Sequence, residues 1–345
     1  LHLSSVREPN AESFESGSFW ASGRAPTEPV PYAGFDQVEL STRHISPETG
    51  HYGLSLAEKF PEVKKNWDAY LSPHPSGAPD TFDWTMPPEA HANTWIADRC
   101  CAFLQAQADS ERPFFVHVGF PDPHHPFRAP EPWGSMYAPA DTALPDTSTE
   151  SHGMRPPEYE AYLRGVLNEK ILGSGDHNNV DLTKLSREQL QVIHAKTYGM
   201  ISFVDEQVGR ILQALEATGQ KENTIIVYTT DHGDYMGDYG LIKKGPFLLE
   251  GLVRIPFLMT GPGVVSANRS VDGVTSHVDI LPTFLEMAGV GVPAGVEGRS
   301  FAPLVRGETA KGRDRVLIEF LHQFQFDRNV KSLVTDDWKL VYWGG

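Results

Sequence analysis

One pattern constrains this chain more than any other: a long helical repeat that a glycine closes and a short β-branched run follows at once. Leu190, Ile193, Ile201, Val204, Val208, Ile211, Leu212 and Leu215 recur at helical spacing across residues 186–218. Ser186 with Gln189 spells a capping box at the start, and Gly219 supplies the stop. Residues 224–230, TIIVYTT, then read as a buried strand ending at Asp231. A helix feeding directly into such a strand belongs in layered α/β architecture, because each element must bury its apolar side against the other.

The rest of the chain repeats the theme. Residues 88–110 turn helical, with Trp95, Ile96, Cys100, Phe103 and Leu104 on one face, and residues 113–119, PFFVHVG, read as a second buried strand. Residues 253–260 make a third, and residues 277–288 a helix with Gly289 as its C-cap. Helices alternating with continuous apolar runs imply a mixed, mostly parallel central sheet with helices on both faces. The tail differs. Residues 315–320, 331–335 and 339–343 are closely spaced strand-like runs without intervening helices, which predicts a small antiparallel sheet. We therefore expect an α/β domain over residues 1–310 and the start of a small subdomain over 311–345. Residues 4–87 and 120–182 are Pro- and Gly-rich and read as long loops of the kind that shape a substrate cleft.

Composition excludes several classes of function. A formal charge of -16 over 345 residues argues against nucleic acid as a partner, since phosphate binding needs clustered Lys and Arg. It also requires that any anionic substrate be drawn in by local cations. No run of about 18 apolar residues occurs, so no membrane span is expected. The two cysteines, Cys100 and Cys101, are adjacent within a helical pattern and suit packing better than a disulfide framework or a metal site. The chain opens at Leu1 without an initiator Met and stops just after a strand-like run, so both ends look like cuts through a longer polypeptide, and localisation cannot be read from them.

Chemistry concentrates in two stretches, each directly after an expected strand. Ligands in open α/β sheets bind outside the carboxyl ends of strands. In TTDHGDYMGDYGLIKKGP, residues 229–246, Asp231 and His232 offer a carboxylate oxygen and an imidazole nitrogen, a pair suited to a divalent cation. Lys244 follows a Gly-punctuated loop that can fold back, so a metal and an ammonium converging on one point would make an oxyanion site. The plainer reading is a capped strand end with a solvated Asp and Lys. In FPDPHHPF, residues 120–127, prolines stiffen the backbone around His124 and His125 and make a poised imidazole plausible, although a His-Pro turn alone is commonly just a turn. The remaining histidines, His51, His91 and His194 among them, carry no motif and are expected at packing or surface positions.

Together these stretches resemble the sulfatase family of the alkaline phosphatase superfamily, in order along most of the chain. Leu1-His2-Leu3 looks like the end of the family's Gly-Lys-x-His-Leu element, and PFFVHVGFPDPHHPF like the strand and loop delivering a sulfate-contacting His. Asn223 to Lys244 resembles the metal-binding strand and loop; Arg254-Ile255-Pro256-Phe257 and residues 276–283, SHVDILPT, resemble the segments that follow. The resemblance implies an alkaline phosphatase-like fold and a sulfuric ester hydrolase. Asp231 and His232 would be metal ligands. His124 and Lys244 would contact the sulfate oxygens, and His2 would do likewise or protonate the leaving group. The metal is Ca²⁺ in relatives with Asp-Asn at this place. Asp-His keeps Mn²⁺, Mg²⁺ or Zn²⁺ open, since His is a poorer Ca²⁺ ligand than a carbonyl oxygen. The substrate would be a small-molecule or glycan sulfate ester.

The sequence departs from the family at the nucleophile. Formylglycine arises from Cys or Ser in a Cys/Ser-x-Pro-x-Arg motif, which is absent here, and the family's upstream Asp-Asp pair is missing too. Formylglycine is therefore expected upstream of residue 1, and the 345 residues alone are not expected to turn over a sulfate ester. The alternatives are a phosphonate monoester or phosphodiester hydrolase of the same superfamily, and a catalytically inactive relative that binds anions.

Overall fold

The structure is a computed structural model and describes residues 14, 16–42, 45–147, 157–164, 182–264, 269–320 and 329–344. It divides into two compact units, one drawn from Leu1–Leu144 with Leu185–Lys221, the other from Pro145–Lys184 with Glu222–Gly345. The boundary expected near residue 311 lies inside the second unit.

The first unit opens with α1 (Gly17–Ala21), the hairpin β1 (Val30–Tyr32) and β2 (Phe35–Val38), α2 (Gly50–Lys59) and α3 (Pro61–Lys65). A second antiparallel pair, β3 (Leu71–Pro73) with β4 (Phe82–Trp84), leads to α4 (Ala92–Ala106). After α5 (Pro157–Leu163), which belongs to the second unit, α6 (Arg187–Ala217) completes the first. Both long helices fall where periodicity predicts them. The capping box forms: Gln189 N donates to Ser186 Oγ at 3.1 Å, and Ser186 N to Gln189 Oε1 at 3.0 Å. Gly219 ends the run at φ +70°, a left-handed conformation that costs glycine nothing.

Packing follows the apolar faces. α4 buries Trp95, Cys100 and Leu104, and α6 buries Leu190, Ile193, Met200, Phe203 and Val204. Ile201, expected on the apolar face of α6, is 44% exposed. One cluster joins Tyr52, Leu56, Trp84, Met86 and Trp95; another joins Ala129, Trp133, Met200 and Phe203. Each such side chain, fully withdrawn from water, contributes about 1.5–3 kcal/mol. Lys196 is an expensive guest among them. Its ammonium donates to Asp83 Oδ1 at 2.6 Å and to Gly134 O at 2.8 Å, so its charge is neutralised where it is buried.

In the second unit β5 (Ile226–Thr229) pairs with β6 (Phe257–Thr260) through the register Ile226↔Thr260 to Thr229↔Phe257, with α7 (Glu250–Val253) in the connection. α8 (Ile280–Met287) and α9 (Ala302–Val305) follow. β7 (Arg315–Phe320), β8 (Val330–Thr335) and β9 (Lys339–Trp343) form the expected antiparallel tail sheet in the order β7-β8-β9.

Two expectations need correction. Among the described residues every named strand pairs antiparallel, in sheets of two or three, and no mostly parallel central sheet with helices on both faces is present. A parallel pair needs a crossover of a dozen residues or more, usually a full helix. The connection from β5 to β6 instead spends its length on loops and the single turn of α7. Residues 113–119 do not form a strand; no described strand pairs with them, and Phe115 is 65% exposed. An apolar run encodes a wish for burial but not a partner, and without a ladder partner the run stays irregular. No helix among the described residues is long and apolar enough to cross a membrane.

Candidate active site

β5 ends at Thr229, and the loop leaving it carries the candidate metal ligands. Asp231 Oδ1 accepts from His232 N at 3.0 Å. The His232 ring bonds through Nδ1 to Gly233 O at 2.7 Å, and because a carbonyl oxygen only accepts, Nδ1 must hold the proton. In the neutral ring Nε2 then presents a lone pair, 3.8 Å from Asp231 Oδ2. A backbone carbonyl orienting the far nitrogen is the usual support of a metal-binding imidazole. One cation at about 2.0–2.2 Å from each donor can span that separation. Asp231 and His232 thus fit a divalent ion as two of its ligands; among the described residues no group of three or more His, Cys, Asp or Glu completes a site.

The Asp231 carboxyl is pushed up by partial burial, but the His232 ring in its protonated form, the N–H groups of His232 and Asp231, and the Lys244 ammonium outweigh this and hold it below the ordinary carboxylate range. Lys244 acts on that carboxylate through its charge, and hydrogen bonds within the loop fix the loop's course. What folds it was not legible in the motif. Asp234, partly buried, accepts from Met236 N at 2.9 Å and from Lys243 N at 2.8 Å, closing the loop like a staple. Tyr235 N donates to Lys243 O at 2.8 Å and Gly237 N to Leu241 O at 2.7 Å. Tyr162 on α5 donates its hydroxyl to Lys244 O at 2.9 Å, and Tyr159 donates to Tyr239 O. Phe247 N donates to Tyr235 Oη at 3.0 Å. Asp234, Tyr162 and Tyr235 are the loop-holding positions that sequence reading missed. Only Asp234 left a signal, as an Asp two residues before a turn amide.

Gly233 has a separate reason to be glycine. Its N donates to Leu252 O at 2.8 Å, and a Cβ built on it would lie 1.9 Å from Gly251 O. The site loop and α7 therefore touch backbone to backbone.

His124 lies in the first unit, in the loop between residues 113–119 and the buried Phe127. Its Nδ1 donates to His125 O at 2.6 Å, so it too presents Nε2, and the two rings stack at 4.0 Å between centroids. Asp231, His232 and Lys244 are brought together in the second unit, while His124 belongs to the first. His2 lies outside the described residues.

The family profile described as Sulfatase matches residues 51–290, and one described as N-sulphoglucosamine sulphohydrolase, C-terminal, matches residues 237–344. The multifunctional alkaline phosphatase superfamily protein PehA of Trinickia caryophylli is 28% identical over 281 residues, covering 79% of this chain and 53% of that protein. An arylsulfatase of Clostridium perfringens is 30% identical over 256 residues, 71% of this chain and 48% of that protein. Among solved structures, the phosphonate monoester hydrolase SpPMH of Silicibacter pomeroyi superposes with a TM-score of 0.70 at 23% identity, over 91% of this chain and 63% of its own, a likeness of fold. The chain spans about half the length of the curated relatives it matches. With the Sulfatase profile covering well over half of its residues, this chain belongs to the sulfatase family.

Proposed function

We propose that these residues are the ligand-binding part of a sulfuric ester hydrolase whose substrate is a small-molecule or glycan sulfate ester. The observation that supports the reading is the loop after β5, where His232 Nε2 lies 3.8 Å from Asp231 Oδ2 and the charge of Lys244 acts on that carboxylate. Asp231 and His232 hold the divalent ion, with Ca²⁺, Mn²⁺, Mg²⁺ or Zn²⁺ all compatible with an O,N donor pair. Bound there, the ion supplies Lewis-acid charge to the transferring group. Lys244 places positive charge where negative charge grows on the sulfate oxygens, in a loop pinned by Asp234 and Tyr162 so that little reorganisation is needed. His124, with Nδ1 tied to His125 O, offers Nε2 as a contact to the sulfate oxygens or as the acid for the leaving alkoxide. His2 remains a candidate for the same duty.

The nucleophile is not among the 345 residues, since no Cys/Ser-x-Pro-x-Arg motif occurs. The family's formylglycine is assigned to the longer protein. The likeness to a phosphonate monoester hydrolase keeps that activity as the second reading. The test is turnover by the full-length enzyme on matched aryl sulfate and aryl phosphonate substrates, with Lys244→Ala alongside. Preference for sulfate together with a loss of about 10²–10³-fold in Lys244→Ala supports the proposal. Preference for phosphonate selects the second reading, and an unaffected variant removes Lys244 from the site.

A further inference from the structure

His124 has no regular secondary structure beneath it. On its C-terminal side the chain is fixed by backbone: Phe127 N donates to Asp80 O at 2.7 Å, and Phe82 N to Phe127 O at 3.1 Å, tying the loop to β4. On the N-terminal side residues 113–120 lie in no strand. There His124 N closes a turn onto Pro121 O at 3.1 Å, and the side-chain hydrogen bond that ties this turn to another element is that of Asp122. Asp122 Oδ2 accepts from Asn93 Nδ2 at 2.8 Å, with Asn93 fully buried and Asp122 8% exposed.

Asn93 is well placed for this. It stands in the first turn of α4, where its backbone N–H is taken by the capping ring of His91, at 3.0 Å to Nδ1. Its side chain is left to reach the loop. Trp84 closes the other side, with its ring 4.9 Å from that of His91 and under the guanidinium of Arg128 at 4.2 Å.

As a device for stability the pair is a poor choice. Asn93 Oδ1 and His91 Nε2 are buried without a hydrogen-bond partner among the described residues. An unsatisfied buried polar atom costs about 1–3 kcal/mol, and apolar residues of similar shape would be neutral or better. What an apolar pair would not do is specify one position for the loop, because a hydrogen bond has direction and dispersion does not.

We infer that Asp122, held by Asn93, is a positioning residue that fixes the imidazole of His124 for its work on the substrate. The inference rests on the sulfatase-type reading of His124. It concerns placement of the ring, not contact with substrate.

The test uses the full-length enzyme. Asn93→Ala is expected to lower kcat on an aryl sulfate by about 10–100-fold, the scale of a displacement near 1 Å at a reacting group, with KM changed less. The swap Asn93→Asp with Asp122→Asn restores one amide-to-carboxylate bond with its ends exchanged, and is expected to return kcat to within about threefold of wild type. The ¹⁵N ring resonances of His124 provide a readout that needs no turnover. In Asn93→Ala they should broaden or shift toward an averaged tautomer, and in the swap they should recover. Wild-type kcat in Asn93→Ala, or an unmoved His124 ring signal, overturns the inference, as does loss of activity that the swap fails to rescue while melting temperature is restored. A wild-type enzyme silent toward sulfate esters counts against the functional reading alone, because the ring resonances still decide the placement.

Discussion

Replacing Gly233 by alanine adds one methyl group at the point where the site loop touches α7. That methyl would sit 1.9 Å from Gly251 O, 3.0 Å from Gly251 C and 3.4 Å from Leu252 Cα, all backbone atoms that no rotamer change can move aside. Opening the contact to the 3.0 Å that real Cβ atoms respect means a shift of more than 1 Å between loop and α7. The same shift pulls on the bond from Gly233 N to Leu252 O, now 2.8 Å. Gly233 is not at positive φ, so no backbone term adds to the steric one. Overpacking of this kind costs about 1–3 kcal/mol, and losing the hydrogen bond adds about 1 kcal/mol. Because His232 Nδ1 bonds to Gly233 O, the imidazole moves with the loop, and a displacement near 1 Å is expected to lower turnover about a hundredfold. The control is Gly209→Ala in α6, where a Cβ meets nothing within 4 Å. There the same methyl should stabilise by about 0.5–1 kcal/mol, since glycine is a poor helix former. Urea titration of both variants at constant m reads the stabilities, and steady-state rates of the full-length enzyme read the site. Gly233→Ala within about 0.5 kcal/mol of wild type and fully active would refute the close approach; a difference of this size is the ordinary scatter of neutral surface substitutions.

Other outcomes are equally specific. Lys196→Met should cost about 1–3 kcal/mol in urea titration, because it orphans Gly134 O and leaves Asp83 without its partner. Burial pushes the Asp122 carboxyl up to about 7, against the donor of Asn93 and the charge of Arg128, while burial and Arg128 hold His91 down to about 3. Between about 4 and 7 the folded state keeps the Asp122 proton that the unfolded chain has lost, so this group's stabilisation falls as pH rises through that window. His91 acts oppositely from pH 6.5 down to about 3, since the unfolded chain binds the proton that the folded ring refuses. Asp122→Asn removes only the first effect, so its stability relative to wild type should rise from pH 4.5 to pH 7.5; an unchanged difference would sink this assignment. Burial also pushes the Cys100 thiol up to about 11, so iodoacetamide at pH 7.5 should modify Cys100 only after unfolding.

Local signals carried over into the structure with little change. The capping box at Ser186, the stop at Gly219 and the three strands of the tail depend on residues within a few positions of one another, and each stands where the pattern put it. The Asp231-His232 pair was readable for the same reason, as ligand chemistry at the end of a β-branched run. Partners distant in the chain were not readable. The run at residues 113–119 has strand character, yet whether it pairs depends on which other segment lies beside it. The loop from Asp231 to Lys244 takes its course because Asp234 accepts from Lys243 N and because Tyr162, 82 residues from Lys244, holds the Lys244 carbonyl. Asn93 and Asp122, 29 residues apart, meet only when the start of α4 packs against the His124 loop. Side-chain period encodes which face is buried, and capping residues encode where an element stops, so sequence alone determined the helices, the tail strands and the family. Hydrogen-bond partners across the chain are chosen by packing, so only the tertiary structure decided how the strands pair and what holds the candidate catalytic groups in place.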